Sequence, residues 1–139
     1  MTAYRGAVVY VANRSSDWFV QAGFDLQHAR NSLAAGDYEW ACFAAQQAAE
    51  KAVKALILHL SGEGWGHSVT KLLLDLAALI HVPEEILLAA RRLDKHYIPT
   101  RYPNGFDAGA PRDYYTSGEA GQAITDGESI YQFCGNAIR

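Results

Sequence analysis

The spacing of apolar residues along the chain predicts a succession of helices. Between Trp18 and Leu33, apolar side chains recur every three or four positions, which is the repeat of a helix with one buried face. Residues 15–17 are candidate caps for the start of this helix, and Gly36 is expected to end it. A second helix is predicted from about Tyr38 to Leu60, a stretch without proline or glycine that contains seven alanines.

Three further helices are predicted in the second half of the chain. Glycines within residues 62–66 interrupt the pattern, and the apolar repeat resumes from Val69 to about Ile80. Pro83 suits the first turn of a fourth helix over residues 84–95, and a pattern weakened by glycines marks a last helix over residues 118–137. Short connections between successive helices indicate an all-α fold, an up-and-down antiparallel bundle of four to five helices.

The chain divides into an N-terminal extension and one helical domain. Residues 1–14 form an extension, flexible or extended, whose apolar run at residues 7–12 is a candidate strand, arm or docking edge for a partner. Residues 15–139 form one bundle domain, long enough to bury a hydrophobic core. No apolar run reaches the roughly 18 residues of a membrane span, and the N-terminus lacks the layout of a signal peptide.

Composition and charge narrow the classes of function. Half of the residues are apolar, 19% are charged, the formal net charge is −3 and the pI is about 5.9. This acidic balance argues against a non-specific nucleic-acid binder, although a small basic site is compatible with it. The two cysteines, Cys42 and Cys134, lie in helical patterns rather than in a disulfide framework, which predicts a reduced, cytoplasmic protein.

Polar residues form a stripe on the second helix. Gln47, Lys51 and Lys54 are spaced by about one turn and point roughly the same way, with Gln46 and Glu50 beside them. Such a stripe is typical of a solvated face. The alternative is that it forms the floor of a cleft, roofed by the segment that follows the fourth helix.

The segment from Leu93 to Pro103, called here the proline segment, places two prolines among aromatic and cationic side chains. Prolines oppose helix continuation and favour extended backbone at the residue before them, so we expect a stiff, ordered strip. An arginine between two tyrosines suits a polar or anionic ligand that stacks on an aromatic ring. In the alternative interpretation, the tyrosines fix the loop on the bundle and Arg101 caps a helix C-terminus.

Few motifs specify a chemistry. The chain holds no HExxH, CxxC, phosphate-loop or GxGxxG pattern and no spacing of ligand residues that predicts a metal site, so no metal or cofactor is expected. His67 and Ser68 precede the third helix, where either one of them caps the helix or His67 lies beside free amides that attract an anion. Arg91 and His96 lie about 140° apart on a continuous helix and converge only if that helix is distorted or ends between them.

Three motifs resemble those of the HEPN superfamily, the higher-eukaryote and prokaryote nucleotide-binding domains, and they occur in the family's order. These motifs are residues 36–56, Gly66-His67-Ser68 and the proline segment, with Ala110-Pro111 and Tyr114-Tyr115 adding to the likeness. The resemblance covers about residues 16–138, which is nearly the whole helical domain.

This resemblance implies a helical bundle that is commonly a homodimer and that is often encoded, in prokaryotes, beside a minimal nucleotidyltransferase in toxin–antitoxin-like pairs. The family name records a proposal that some members bind nucleotides. Many members are metal-independent ribonucleases, in which an arginine and a histidine separated by four to six residues lie at the dimer interface. Arg91 and His96 fit that spacing, with Arg92 at the usual polar position, whereas no histidine follows Arg101 at residues 106–108.

The leading hypothesis is a cytoplasmic, homodimeric protein that binds a nucleotide and works with a minimal nucleotidyltransferase, with RNA as another ligand and no membrane association. The alternatives are a metal-independent endoribonuclease with Arg91 and His96 as catalytic residues, and a structural dimerisation subunit without a ligand. In the leading hypothesis Arg101 and the lysines contact phosphate, the tyrosines stack on a base and His67 forms a hydrogen bond. The expected ligand-binding residues are Lys51, Lys54, His67, His96, Tyr97, Arg101 and Tyr102.

Overall fold

The computed structural model describes residues 2–4, 7–9 and 13–139, and this part of the chain folds as a bundle of five α-helices. The bundle confirms the predicted all-α fold class. Two short antiparallel strands precede it, with Thr2 opposite Val9. The elements are β1 (Thr2–Tyr4), β2 (Ala7–Val9), α1 (Ser15–Ala35), α2 (Tyr38–His59), α3 (Val69–Leu76), α4 (Glu84–Asp94) and α5 (Ser117–Ile138).

The predicted apolar run at residues 7–12 is described only in part. Residues 7–9 form β2, as one interpretation of the run expected, and residues 10–12 lie outside the described residues. The assignment of residues 1–14 to an extension stays a prediction. None of the helices in the described ranges is long and apolar enough to cross a membrane.

Helix α2 lies at the centre of the bundle, and its small side chains let its neighbours approach closely. Both α1 and α5 pack along it, and all seven of its alanines are buried. A Cβ atom added to Gly127 of α5 would lie 3.1 Å from the carbonyl oxygen of Ala45, so a glycine allows this close approach. A Cβ atom at Gly135 would likewise lie 2.9 Å from the ring of Phe19, so two of the glycines that weaken the helical pattern of α5 allow close packing against other helices.

The end of α1 agrees with the sequence prediction, whereas its predicted N-terminal cap is not observed. Gly36 ends the helix as predicted, with a φ of 82° and its N–H bonded to the carbonyl of Leu33. No side chain of residues 15–17 caps the start; Ser15 is itself the first helical residue, and its hydroxyl donates to the carbonyl of Ala55 at 2.7 Å. The hydroxyl therefore joins α1 to α2 instead of satisfying its own helix end.

Helix α3 is shorter than predicted, and it is capped both by the hydroxyl of its own Ser68 and from another helix. It ends at Leu76, and turns cover the remaining residues to Ile80. The carboxylate of Asp94, at the end of α4, accepts hydrogen bonds from the backbone N–H groups of Val69 at 2.8 Å and Thr70 at 2.9 Å. These amides are therefore not free to attract an external anion, contrary to one of the two expectations for this helix end.

The proline segment continues from α4 as a series of turns rather than as an extended strip. The hydroxyl of Thr100 donates to the carbonyl of His96 at 2.6 Å, which closes one of these turns, and a proline without an N–H group prevents regular helix from continuing. Tyr102 has the expected extended backbone, with φ −131° and ψ 137°. Two short 3-10 turns, Pro103–Gly105 and Pro111–Asp113, then lead to α5.

Candidate functional site

Part of the polar stripe of α2 is buried beneath the loop that joins α2 to α3. Gln46 is fully buried, and Glu50 keeps only 4% of its surface exposed. The side-chain amide of Gln46 donates to the backbone carbonyl of His67 at 3.0 Å, which holds the loop over the helix. Gln46 and Glu50 therefore lie under this loop, whereas Gln47, Lys51 and Lys54 are half-buried, so the stripe is not a fully solvated face.

The carboxylate of Glu50 is the centre of this site. Its oxygens lie 3.1 Å from Nζ of Lys54 and 3.2 Å from Nδ1 of His67. Because a carboxylate only accepts hydrogen bonds, Nδ1 carries the proton of that contact. In the described part of the chain Nε2 of the same ring has no hydrogen-bond partner, and the His67 side chain is 58% exposed, so Nε2 is available to a ligand.

Arg101 lies on a group of aromatic rings next to His67. The His67 ring stacks on Tyr97, with the ring centroids 4.8 Å apart and the planes 17° apart. The guanidinium carbon of Arg101 lies 4.2 Å from the ring centroid of Phe43 and 4.7 Å from that of Tyr97. The ring of Tyr102 is 5.2 Å from the same carbon. Nε and Nη2 also donate to the Tyr97 carbonyl at 3.0 and 2.6 Å, so the guanidinium has a fixed position.

Arg101 differs in its electrostatic surroundings from Arg30 and Arg92, which have carboxylate partners. Arg92 makes a bidentate ion pair with Asp126, with both distances 2.9 Å, and Arg30 pairs with Glu128 at 2.8 Å. Within residues 13–139, no carboxylate lies within ion-pair distance of the Arg101 guanidinium. Arg101 is thus a fixed cation with an uncompensated charge, which suits recognition of an anion.

A cleft of about 510 Å³ opens beside Lys54 and His67. The indole rings of Trp18 and Trp65 line it, together with residues 63–64 of the loop. Nζ of Lys54 lies 5.6 Å from the centroid of the Trp18 ring. Trp65 is 77% exposed, so most of its ring surface faces the solvent. The cleft combines apolar aromatic surface with the cation of Lys54 and the carboxylate of Glu63.

Five of the seven predicted ligand-binding residues come together. These five and the central acid are called here the His67 cluster: Glu50, Lys54, His67, Tyr97, Arg101 and Tyr102. Lys51 lies apart from the cluster, because its ammonium group pairs with the carboxylate of Asp25 on α1. It lines two smaller pockets of about 390 and 220 Å³ on that side.

His96 and Arg91 also lie outside the His67 cluster. Nδ1 of His96 is 3.5 Å from the hydroxyl of Tyr115, and burial lowers the pKa of this imidazole below its usual value. Arg91 is exposed in the last turn of α4. Among the described residues no hydrogen bond or stacking contact joins the two side chains, so the endoribonuclease alternative gains no geometric support from a single chain and stays a prediction.

Four residues that complete the site were not assigned to it from the sequence. The sequence did hold a signal for Glu50, because an acid one turn before Lys54 in a polar stripe is a candidate ion-pair partner for that lysine. The sequence also held a signal for Trp65, because this tryptophan lies between two glycines and therefore outside any predicted helix that could pack it into a core. Trp18 and Phe43 follow the apolar repeats of their own helices and resemble core residues, so no sequence signal marked them.

The site offers cations, hydrogen-bonding groups and aromatic rings to a ligand. In the described ranges no three His, Cys, Asp or Glu side chains converge as a group that could hold a metal ion. Binding and orientation of an anion with an attached ring is the chemistry to which these groups are suited.

Comparisons with known proteins agree with the helical architecture. The sequence model of the HEPN domain matches residues 15–137. No curated protein matches the chain. The crystal structure of TT1696 from Thermus thermophilus is 48% identical with a TM-score of 0.88, and the match covers 91% of this chain and 99% of that one.

Two further crystal structures are similar over most of their length. ST0689, an archaeal HEPN homologue, is 41% identical with a TM-score of 0.78, covering 91% of this chain and 98% of that one. A HEPN domain protein of Thermotoga maritima is 37% identical with a TM-score of 0.71, covering 86% and 95%. With the bundle and the order of its motifs, these matches establish that the chain belongs to the HEPN domain family.

Proposed function

We propose that this HEPN chain binds a nucleotide and holds the phosphate groups at the His67 cluster. The observation that carries the proposal is the guanidinium of Arg101, which is fixed on aromatic rings and has no carboxylate partner in the described part of the chain. A guanidinium held in this way meets phosphate oxygens with directed, charge-assisted hydrogen bonds.

The charges of the cluster support the binding of an anion. Glu50 supplies one negative charge, whereas Lys54 and Arg101 supply two positive charges, so the cluster is positive even when His67 is neutral. An ammonium group has three donors, and those that Lys54 does not use on Glu50 can meet a phosphate oxygen. Nε2 of His67 adds an acceptor for a sugar hydroxyl.

Isothermal titration calorimetry with ATP tests the proposal. We expect micromolar binding by the wild type and at least tenfold weaker binding by Arg101→Ala, because hydrogen bonds to charged groups contribute about 1.5–3 kcal/mol. Arg91→Ala is the matched control, since it removes an exposed arginine outside the cluster. Melting temperatures show that each variant is folded.

Two results would contradict nucleotide binding at the cluster. One is the absence of heat when ATP or GTP is added to the wild type. The other is equal ATP affinity in the wild type and Arg101→Ala. A large fall in melting temperature for Arg101→Ala, without any ligand binding in the wild type, would instead favour the structural subunit, in which the arginine only holds the proline segment in place.

The resemblance to HEPN proteins supports a finer proposal about assembly. We propose that the chain is a cytoplasmic homodimer that works with a minimal nucleotidyltransferase in a toxin–antitoxin-like pair. Val20 and Phe24, one turn apart on α1, are 54% and 67% exposed and supply apolar surface for a second subunit. Light scattering should give twice the chain mass of 15.2 kDa, and a monomer at high micromolar concentration would contradict the dimer.

A further inference from the structure

We infer that the cleft between Trp18 and Trp65 binds the base of the nucleotide, and that the ligand is a nucleoside di- or triphosphate. The inference rests on the proposed function, because it adds a second subsite to the same site. In this arrangement the base stacks on an indole ring in the cleft. The sugar lies at His67, and the phosphate chain runs past Tyr97 to Arg101.

Tyr97 of the cluster already has two stacking partners. The ring centroid of Tyr97 lies 4.8 Å from that of His67 and 4.7 Å from the guanidinium carbon of Arg101. Tyr102 lies 5.2 Å from the same guanidinium. A base on Tyr97 would have to displace one of the groups that hold the phosphate-binding arginine in place. Tyr97 is therefore not free to stack on a base, and Tyr102, although 48% exposed, does not line the cleft.

Trp65 has the free ring surface that base stacking requires. At 77% exposed, it is the most exposed large hydrophobic side chain of the described residues. It lies on the same loop as His67, and the cleft that it lines has a volume of about 510 Å³, in the range of small-molecule sites. Trp18 forms another part of the wall, with the Lys54 ammonium 5.6 Å from its ring centroid.

The position of Arg101 relative to the cleft determines how many phosphates the ligand needs. Lys54 and His67 line the cleft directly. Arg101 does not line it and is joined to His67 through the ring of Tyr97, on which both stack. A phosphate next to the sugar therefore meets Lys54, and a second or third phosphate is needed to reach Arg101. We expect ADP and ATP to bind more tightly than AMP.

A contact with another protein subunit is the competing explanation for an exposed tryptophan. Lys54 and Glu63 both line the cleft, so an apolar partner surface would cover two charged side chains without giving either a new polar contact. A nucleotide supplies both an aromatic ring for the indole and a phosphate for the lysine. The mixed character of the cleft favours the nucleotide.

Calorimetric titrations of ATP, AMP and inorganic tripolyphosphate test the inference with three variants. We expect Trp65→Ala to weaken ATP binding about 5- to 150-fold, the loss found when a base loses an aromatic stacking partner, and to leave tripolyphosphate binding unchanged. Arg101→Ala should weaken the binding of both ligands. Leu79→Ala is the control, because Leu79 is a large apolar side chain that is 66% exposed and does not line the cleft.

The outcomes separate this inference from the proposed function. If Trp65→Ala binds ATP like the wild type while Arg101→Ala does not, the base subsite is wrong and nucleotide binding stands. If the wild type binds tripolyphosphate as tightly as ATP, the base adds nothing to the affinity and the base subsite is also wrong. If the wild type binds none of the three ligands, both proposals fail. If Trp65→Ala changes only the particle mass in light scattering, Trp65 is a subunit contact and the inference is overturned.

Discussion

Glu50 is the residue on which the geometry of the His67 cluster depends. Its carboxylate is almost fully buried and lies 3.1 Å from the ammonium group of Lys54 and 3.2 Å from the imidazole of His67. A buried charge is tolerated only when it is paired, so the acid and the lysine hold each other in place. If one of the two residues is replaced, the other keeps a buried charge without its counter-charge. If both are replaced by uncharged residues, no buried charge is left to be paired.

We expect Glu50→Gln to lower the free energy of unfolding by about 1–3 kcal/mol, because Lys54 then lacks its ionic partner in a nearly buried position. The double variant Glu50→Gln/Lys54→Met should recover most of this loss, since no buried charge remains unpaired. Urea denaturation of the wild type, the two single variants and the double variant measures the coupling. If the loss of unfolding free energy in the double variant equals the sum of the losses in the two single variants, the two side chains do not stabilise each other.

At the scale of elements, one carboxylate joins the end of α4 to the start of α3. Asp94 accepts hydrogen bonds from the amides of Val69 and Thr70 and from the hydroxyl of Ser68, the last at 3.2 Å. These bonds satisfy amides that the helix itself leaves without partners. They also fix the chain directly after His67, so the cap of α3 contributes to the geometry of the site.

We expect Asp94→Ala to lower the free energy of unfolding by about 1–2 kcal/mol, the range found when a helix loses a capping side chain. Asp94→Asn should cost less, because its amide oxygen still accepts a hydrogen bond. Asp75→Ala is the control on α3: this acid forms an exposed pair with Lys71 at 3.0 Å, and its loss should change stability by no more than about 0.5 kcal/mol. Equal losses for Asp75→Ala and Asp94→Ala in thermal denaturation would contradict the capping role.

The sequence predicted the helices more closely than it predicted the contacts between them. Local signals, such as the apolar repeat and Gly36, placed the limits of α2 and α5 within one residue of those observed. The Asp94 cap and the Ser15–Ala55 hydrogen bond join residues 25 and 40 positions apart, and no local pattern marks such pairs. The polar stripe was visible in the sequence, but its burial depends on how the next loop folds back over α2.

At the scale of the whole molecule, one hydrophobic core includes residues from all five helices. Cys42 of α2 and Cys134 of α5 are both fully buried in it. Burial raises the pKa of each thiol from 9.0 to about 12, so both stay protonated at pH 8. Two inert thiols on different helices can therefore report whether the core opens as a unit.

In a domain with one cooperative core, a buried thiol reacts only when the domain unfolds. We expect the single-thiol variants Cys42→Ala and Cys134→Ala to react with a disulfide reagent at pH 8 only through global unfolding. The free energy of opening obtained from the labelling rate should then equal each variant's own free energy of unfolding in urea. If the opening free energy obtained for Cys134 were much smaller than the free energy of unfolding, the C-terminal half of α5 would open separately from α2. Saturating ATP, if it binds at the His67 cluster, should slow labelling of both thiols by the same factor, because a ligand of the folded state stabilises the whole cooperative unit.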